Sequence, residues 1–131
     1  MNKLYALLAL LIVAITPLSV VNAGEVARAQ FTSAIEQREP VDEITILSNN
    51  INKIHFFSEL RDLQDQTVTH RWMFAGKVMA EVSFNVGGPR WRVNSSKTLL
   101  PGWVGDWVVA VVDGSGNVVA EYSLQYVEAE P

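Results

Sequence analysis

Two histidines are the residues of this sequence best suited to acid–base or metal chemistry. His70 stands in "VTHRWMF", and His55 stands in the earlier segment "KIHFFSEL". An imidazole acts as a general base or a metal ligand when a carboxylate orients it and a substrate can reach it. One hypothesis is therefore a small hydrolase or metal-dependent enzyme centred on His70, with a carboxylate from a loop.

The acidic residues do not form a pattern that supports this chemistry. They cluster in the loops "EQREPVDE" and "RDLQDQ", where solvation and turn capping account for them. The first loop lacks the spacing of a calcium loop, and no HExxH motif occurs. Strand alternation also places His55 and His70 on opposite faces, which argues against a shared metal. We expect no metal and no cofactor.

Nucleophilic catalysis has equally little support. Ser95 and Ser96 follow "RWRV", but no G-x-S-x-G elbow surrounds either serine. The sequence has no cysteine, which excludes thiol catalysis, thiolate metal sites and disulfides. We therefore expect a protein without catalytic residues.

Basic and aromatic side chains form a second set with chemical potential. If "RWRV" is a strand that turns Trp91 to the core, Arg90 and Arg92 turn outward, and Lys97 follows them. Guanidinium groups bind carboxylate or phosphate through paired hydrogen bonds. The alternative is that each arginine pairs with a glutamate of a neighbouring strand and protects a sheet edge from mispairing.

Trp103 lies in the Pro/Gly-rich loop "LPGWVGD" and has two possible roles. An exposed loop tryptophan can stack on a sugar or anchor a protein partner, whereas a folded-back one caps the end of the domain. The sequence leaves both roles open. The predicted ligand surface consists of Trp103, Arg90, Arg92, Lys97 and Arg71.

Period-two alternation of apolar and polar residues indicates the elements that must position these side chains. It occurs in seven segments joined by short connections, two of which carry the turn glycines of "GGP" and "DGSGN". We predict an all-β fold, a seven-stranded antiparallel β-sandwich of immunoglobulin or fibronectin-III type. The segments are "RAQFTSAI", "KIHFFSEL", "VTHRWMF", "VMAEVSFNV", "RWRVNSS", "WVVAVVD" and "VVAEYSLQYV".

The inward-facing positions of these strands supply the predicted core. In "VTHRWMF" they include His70 and Trp72, so His70 becomes a hydrogen-bonded core histidine and Arg71 turns to solvent. Residues 38–52, "REPVDEITILSNNIN", break the alternation and read as a loop. The predicted core residues are Trp72, His70, Trp91, Trp107, Phe56 and Phe84.

The first residues indicate export. Lys3 precedes an apolar run, and the small residues "VNA" end at Ala23, as in a secretory signal covering residues 1–23. An uncleaved membrane anchor is the alternative, because the run approaches bilayer length. Residues 24–131 form the single predicted domain, in the periplasm or secreted. Its nine Lys and Arg against fourteen Asp and Glu give a formal charge of −5, which disfavours nucleic-acid binding.

Several longer strings resemble a bacterial family catalogued as domain of unknown function 2914. They are "FTSAIEQREPVDEI", "FFSELRDLQDQTVTHRW" and "VGGPRWRVNSSKTLLPGWVGDWVVAVVDGSGNVV", within a similarity that extends from about Ala27 to Tyr126. The resemblance implies a compact β domain of an exported or membrane-associated protein, and it carries no catalytic residue to transfer.

Together these observations favour a non-catalytic binding module that contacts another envelope protein, a glycan or a cell-wall component. The enzyme centred on His70 is one alternative. A structural spacer beside the membrane is the other, and it depends on an uncleaved signal. A membrane contact is expected only through the N-terminal segment.

Overall fold

The computed structural model describes residues 24–131. The predicted signal segment, residues 1–23, lies outside the described residues. The part of the chain that the structure describes contains no helix with the length and hydropathy needed to cross a membrane.

The described residues form ten β-strands, and the predicted all-β class is confirmed. The seven longest strands overlap the seven predicted segments, because alternation and turn glycines are strong local signals. In chain order the strands are β1 (Glu25–Thr32), β2 (Ile35–Glu36), β3 (Glu39–Pro40), β4 (Ile46–Ser48), β5 (Lys53–Arg61), β6 (Thr67–Phe74), β7 (Lys77–Asn85), β8 (Arg90–Thr98), β9 (Gly105–Val112) and β10 (Val118–Val127).

Two of the three shortest strands, β3 and β4, lie within residues 38–52 and correct the prediction of a loop there. Strands β2 and β3 form a small antiparallel hairpin. Strand β4 pairs in parallel with β10, so the expectation of a wholly antiparallel fold is wrong. These strands have two or three residues each, too few to show alternation, and the partner of β4 lies far away in the sequence.

Two larger sheets face each other across one core. One has the strand order β1-β5-β8, and the other has the order β4-β10-β9-β6-β7. Phe31 and Phe56 project from the three-stranded sheet, and their rings lie 5.9 and 6.5 Å from that of Trp72 on the opposite sheet. Burial of such side chains contributes about 1.5–3 kcal/mol each and holds the sheets together.

Most predicted core residues are confirmed. Phe56, His70, Trp72 and Trp107 are fully buried, and Phe84 is half-buried with its ring 4.9 Å from that of His70.

The prediction for Trp91 is wrong, since this side chain is 37% exposed. Trp91 has the same strand parity as Val93, which is buried. However, Trp91 is the second residue of β8, an edge strand of its sheet. Alternation gives the direction of a side chain but not whether another element covers it.

Candidate functional site

A buried polar cluster surrounds His70 between the two sheets. The imidazole Nε2 lies 2.8 Å from Ser58 Oγ, and Nδ1 lies 2.8 Å from Ser95 Oγ. The indole Nε1 of Trp72 donates a hydrogen bond of 3.0 Å to the same Ser95 hydroxyl. Both ring nitrogens therefore have partners, as buried polar groups require. We call these four residues the histidine cluster.

The histidine cluster lacks the two conditions that the enzyme hypothesis requires. His70 has no exposed surface, and its hydrogen-bond partners are hydroxyls rather than carboxylates. Burial lowers the pKa of His70 to about 3, so the imidazole is neutral near pH 7. A neutral, enclosed imidazole links the two sheets but does not reach a substrate.

His55 lies apart from this cluster. It occupies the opposite face of β5, where it pairs in register with Thr32 and Ser96. Among residues 24–131, no group of three His, Asp or Glu side chains is placed to hold a metal ion.

A second polar group lies on the outer face of the three-stranded sheet. Arg28, Glu59 and Arg92 lie opposite one another on β1, β5 and β8, and Arg61 lies opposite Arg90 on the same face. Glu59 accepts hydrogen bonds of 2.9 Å from Arg28 Nη2 and 3.1 Å from Arg90 Nη2. Its other oxygen lies 2.9 Å from Arg61 Nη2. One carboxylate thus contacts three guanidinium groups.

The charge state of Glu59 follows from these contacts. Its side chain is only 3% exposed, and this burial by itself would raise the pKa. The hydrogen bonds from Arg28, Arg90 and Arg61 outweigh burial and lower the pKa of Glu59 to about 2. Glu59 is therefore an anion at all physiological pH values.

Glu39 links the β2–β3 hairpin to this face through hydrogen bonds with two arginines. Arg28 donates two hydrogen bonds of 3.0 Å to the Glu39 carboxylate, and Arg92 donates one of 2.6 Å. These hydrogen bonds lower the pKa of Glu39 to about 2. The Arg28 guanidinium also lies 5.0 Å from the ring centroid of Phe57, which is fully buried although it belongs to the outer face.

The turn of this hairpin has a strained backbone. Gln37 and Arg38 connect Glu36 to its partner Glu39, with φ angles of 52° and 67°. Left-handed conformations at both positions of a two-residue turn normally favour Asn-Gly. For other residues this conformation costs roughly 1–2 kcal/mol each. Ion pairs at Glu39 hold the turn in place. As a result, Arg38 lies beside the arginines of β8.

Four residues line a surface pocket with a volume of about 330 Å³: Arg38, Arg90, Trp91 and Arg92. We call it the arginine pocket. A guanidinium carries five N–H donors. Within residues 24–131, the side chains of Arg90 and Arg92 each donate one hydrogen bond, and that of Arg38 donates none. Most donors in the pocket are therefore available to a ligand.

The balance of charges also favours an anion here. Five of the six arginines between residues 24 and 131 belong to this face or its hairpin, and four of them, all except Arg38, form ion pairs with Glu39 or Glu59. These arginines are Arg28, Arg38, Arg61, Arg90 and Arg92. Even with Glu25 and Glu36 counted as well, this face and its hairpin carry a small excess of positive charge on a domain whose overall charge is negative.

Trp91 packs on two glycines that precede it. An ideal Cβ atom on Gly87 would lie 2.9 Å from Cη2 of the indole, and one on Gly88 would lie 3.6 Å from Cε3. The backbone of these glycines thus supports the indole directly. The ring remains partly exposed at the wall of the arginine pocket.

The five residues of the predicted ligand surface do not form one surface. Arg90 and Arg92 line the arginine pocket. Lys97 has the inward parity of β8, and its Nζ atom lies 5.2 Å from the ring of Trp103. Arg71 projects from the five-stranded sheet and pairs with Glu81 at 2.9 Å.

Of the two roles that the sequence left open, Trp103 has the capping role. Its ring lies 5.8 Å from that of Trp107, and its carbonyl accepts a 2.9 Å hydrogen bond from Trp107 Nε1. The strand residue Trp91, predicted in the core, therefore borders a pocket, whereas the loop residue Trp103 covers the core.

Sequence reasoning missed three arginines of the outer face. Arg28 and Arg61 have the outward parity of their strands, and this signal was available. Arg38 had no such signal, because only the folded hairpin brings it to β8.

A larger groove of about 550 Å³ lies on the other sheet. Met73, Phe74, Val104 and Val108 give it an apolar wall, and Glu121 is among its other lining residues. It shares no residue with the arginine pocket.

These features define an all-β protein with two facing sheets and an arginine-lined pocket on one outer face. The family model described as "Protein of unknown function (DUF2914)" matches residues 65–125, and this match supports the predicted resemblance to that family. The match includes Arg90, Trp91 and Arg92 and excludes Arg38. A search of the curated proteins finds no match to this chain.

Proposed function

We propose that this chain is a non-catalytic exported binding module whose ligand carries a negatively charged group. The observation that carries this proposal is the convergence of Arg38, Arg90 and Arg92 around one pocket, with most of their donors unused. Planar guanidinium forks match the oxygens of carboxylate and phosphate groups. The ligand belongs to an envelope protein, a glycan or a cell-wall component.

Internal ion pairing does not account for the whole face. It explains Arg28 and Arg61, whose guanidinium groups each contact a buried or half-buried glutamate. Arg38 and most of the donors of Arg90 and Arg92 are not engaged by Glu39 or Glu59. Because the whole domain is acidic, binding depends on this local excess and weakens as salt screens it.

The topology supports an immunoglobulin or fibronectin-III type of sandwich. Three strands, β1-β5-β8, face a sheet in which the long strands follow the order β10-β9-β6-β7. The chain passes between the sheets after β5, β7 and β8, which gives Greek-key connections. Such rigid sandwiches commonly present binding surfaces, although the fold alone does not define a ligand.

Export rests on residues 1–23, whose composition suits a cleaved secretory signal. Mass spectrometry of the protein purified from its natural host tests this proposal. A mature N-terminus at Gly24 supports release into the periplasm or medium. An intact Met1 instead supports the anchored spacer.

Titration of the purified protein with inorganic phosphate and citrate, followed by NMR, tests the binding proposal. We expect the Arg and indole N–H resonances of the arginine pocket to shift, and Arg90→Gln to weaken binding at least fivefold. Arg71→Gln is the matched control, because Arg71 is also an ion-paired strand arginine but lies on the other sheet. Equal losses in both variants, or no shift in the pocket, contradict the proposal.

A further inference from the structure

We infer that the anionic group is carried by a sugar ring, so that the arginine pocket binds an acidic sugar unit of a glycan. This inference rests on the proposed function and specifies its ligand. The carboxylate or phosphate of the sugar contacts the arginines, and the face of the ring packs on Trp91.

The support for Trp91 is the first argument. Gly87 and Gly88 bring their backbone against the indole at distances that a side chain on Gly87 would not allow. The indole packs on this backbone, lines the pocket together with three arginines and remains 37% exposed. A partly exposed aromatic ring at such a site offers an apolar contact to a flat, weakly polar partner. A simple inorganic anion makes no use of such a surface.

The dimensions of the pocket are the second argument. Its volume of about 330 Å³ lies at the lower end of the range of roughly 300–1,000 Å³ found for ligand pockets. This space suits one ring with its charged substituent. The neighbouring units of a glycan chain then extend into solvent.

The arrangement of polar groups is the third argument. The pocket is lined by donors, from Arg38, Arg90 and Arg92, and by the indole. Donors without a matching carboxylate in the lining select an acidic sugar over a neutral one, because a neutral ring leaves the cations without an anion. Carboxylated and phosphorylated sugars share this chemistry.

Calorimetry and tryptophan fluorescence with the purified protein distinguish these ligands. The carboxylate arm compares trigalacturonate with its neutral methyl ester, and the phosphate arm compares glucose 6-phosphate with glucose. Inorganic phosphate is the ring-free probe. We expect at least one acidic sugar to bind about tenfold more tightly than inorganic phosphate. The corresponding neutral sugar should show no such binding.

A pair of glycine variants tests the role of the indole. In Gly87→Ala the new methyl group meets the indole at 2.9 Å and displaces it, whereas in Gly88→Ala the contact of 3.6 Å is ordinary packing. We expect Gly87→Ala and Trp91→Ala to lose the tenfold preference for the acidic sugar and to keep their affinity for inorganic phosphate. Gly88→Ala should behave as the wild type.

The outcomes separate the two proposals. If acidic sugars bind no more tightly than inorganic phosphate, or if Trp91→Ala retains the preference, the sugar inference is overturned and the anion-binding function stands. If neither acidic sugars nor inorganic phosphate bind, both are overturned. Thermal unfolding of each variant confirms that losses do not come from misfolding.

Discussion

The histidine cluster and the outer face that carries the arginine pocket both draw on β5 and β8 but have opposite properties. On β5, Ser58 faces the core and the adjacent Glu59 faces outward. On β8, Ser95 faces the core and Arg92 faces outward. The period of two in a strand separates these side chains onto different faces. Each strand thus contributes to the histidine cluster on one side and to the ion-paired outer face on the other.

The difference between them lies in whether polar groups have enough partners. In the histidine cluster both imidazole nitrogens have a hydroxyl within 2.8 Å, and no water is needed to satisfy them. On the outer face the carboxylates of Glu39 and Glu59 contact four arginines, Arg38 contacts neither, and donors remain unused. A polar cluster whose groups all have partners stabilises the fold, whereas unused donors at a surface are available to a ligand.

The largest expected effect comes from removing the indole of Trp72, which packs in the core beside the histidine cluster. Trp72→Ala should lower the free energy of unfolding by about 3–5 kcal/mol, because it leaves a cavity and removes a donor to Ser95. Denaturant unfolding followed by circular dichroism measures this loss. Trp91→Ala is the control and should cost much less, because Trp91 is partly exposed. Equal losses would remove the distinction between core and pocket.

Acid should weaken the histidine cluster while the arginine pocket keeps its charges. The unfolded chain takes up a proton at His70 near pH 6.5, but burial lowers the pKa in the folded protein to about 3. The unfolded state therefore binds more protons in this range, and stability falls as pH decreases. From pH 7 to pH 5 we expect a loss of about 2 kcal/mol from this residue.

Denaturant unfolding at each pH measures this dependence. The variant His55→Gln isolates the contribution of His70, because it leaves His70 as the single histidine. Burial, together with the charge of Lys53, also lowers the pKa of His55, so both histidines act in the same direction. Glu39 and Glu59 contribute little above pH 5, because their lowered pKa values matter only below the ordinary range of a glutamate. Constant stability of His55→Gln between pH 7 and pH 5 would show that His70 is accessible to protons in the folded state.

A smaller effect is expected from Glu59→Gln, which changes the balance of charges under the arginine pocket. The amide weakens the hydrogen bonds from Arg28, Arg61 and Arg90, yet these arginines are half-exposed and water can replace the lost contacts. We expect a loss of about 1–2 kcal/mol in stability. The affinity for inorganic phosphate should rise, because one competing negative charge has gone.

Urea unfolding and phosphate titration of the same sample measure both effects. Glu81→Gln serves as the control, since Glu81 pairs with Arg71 on the other sheet. If Glu59→Gln binds phosphate more weakly than the wild type, the arginine pocket depends on Glu59 for its geometry rather than being limited by its charge.

The smallest effect is expected for Arg71→Gln. The Arg71–Glu81 pair is a surface ion pair between neighbouring strands, and such pairs contribute about 0–1 kcal/mol. The midpoint temperature of thermal unfolding should therefore change by no more than a few degrees. A loss comparable to that of Glu59→Gln would mean that the two outer faces are not as different as their contacts indicate.

The sequence by itself determined the strands and the direction of most side chains. Alternation and turn glycines predicted the seven long strands, and they placed His70, Trp72 and Trp107 in the core and Arg90 and Arg92 outside. These signals are local: each depends on residues adjacent in the chain, and a strand's period of two is independent of its partners.

Only the tertiary structure decided which of these side chains come together. The strained turn at Gln37 and Arg38 brings one arginine to β8, and the pairing of β1, β5 and β8 brings Arg28 and Arg90 to Glu59. The direction of the Trp91 side chain could not reveal that no element covers it, since coverage depends on where the facing sheet ends. Contacts between distant segments are set by sheet pairing and packing, and the sequence of a single strand does not specify its neighbours.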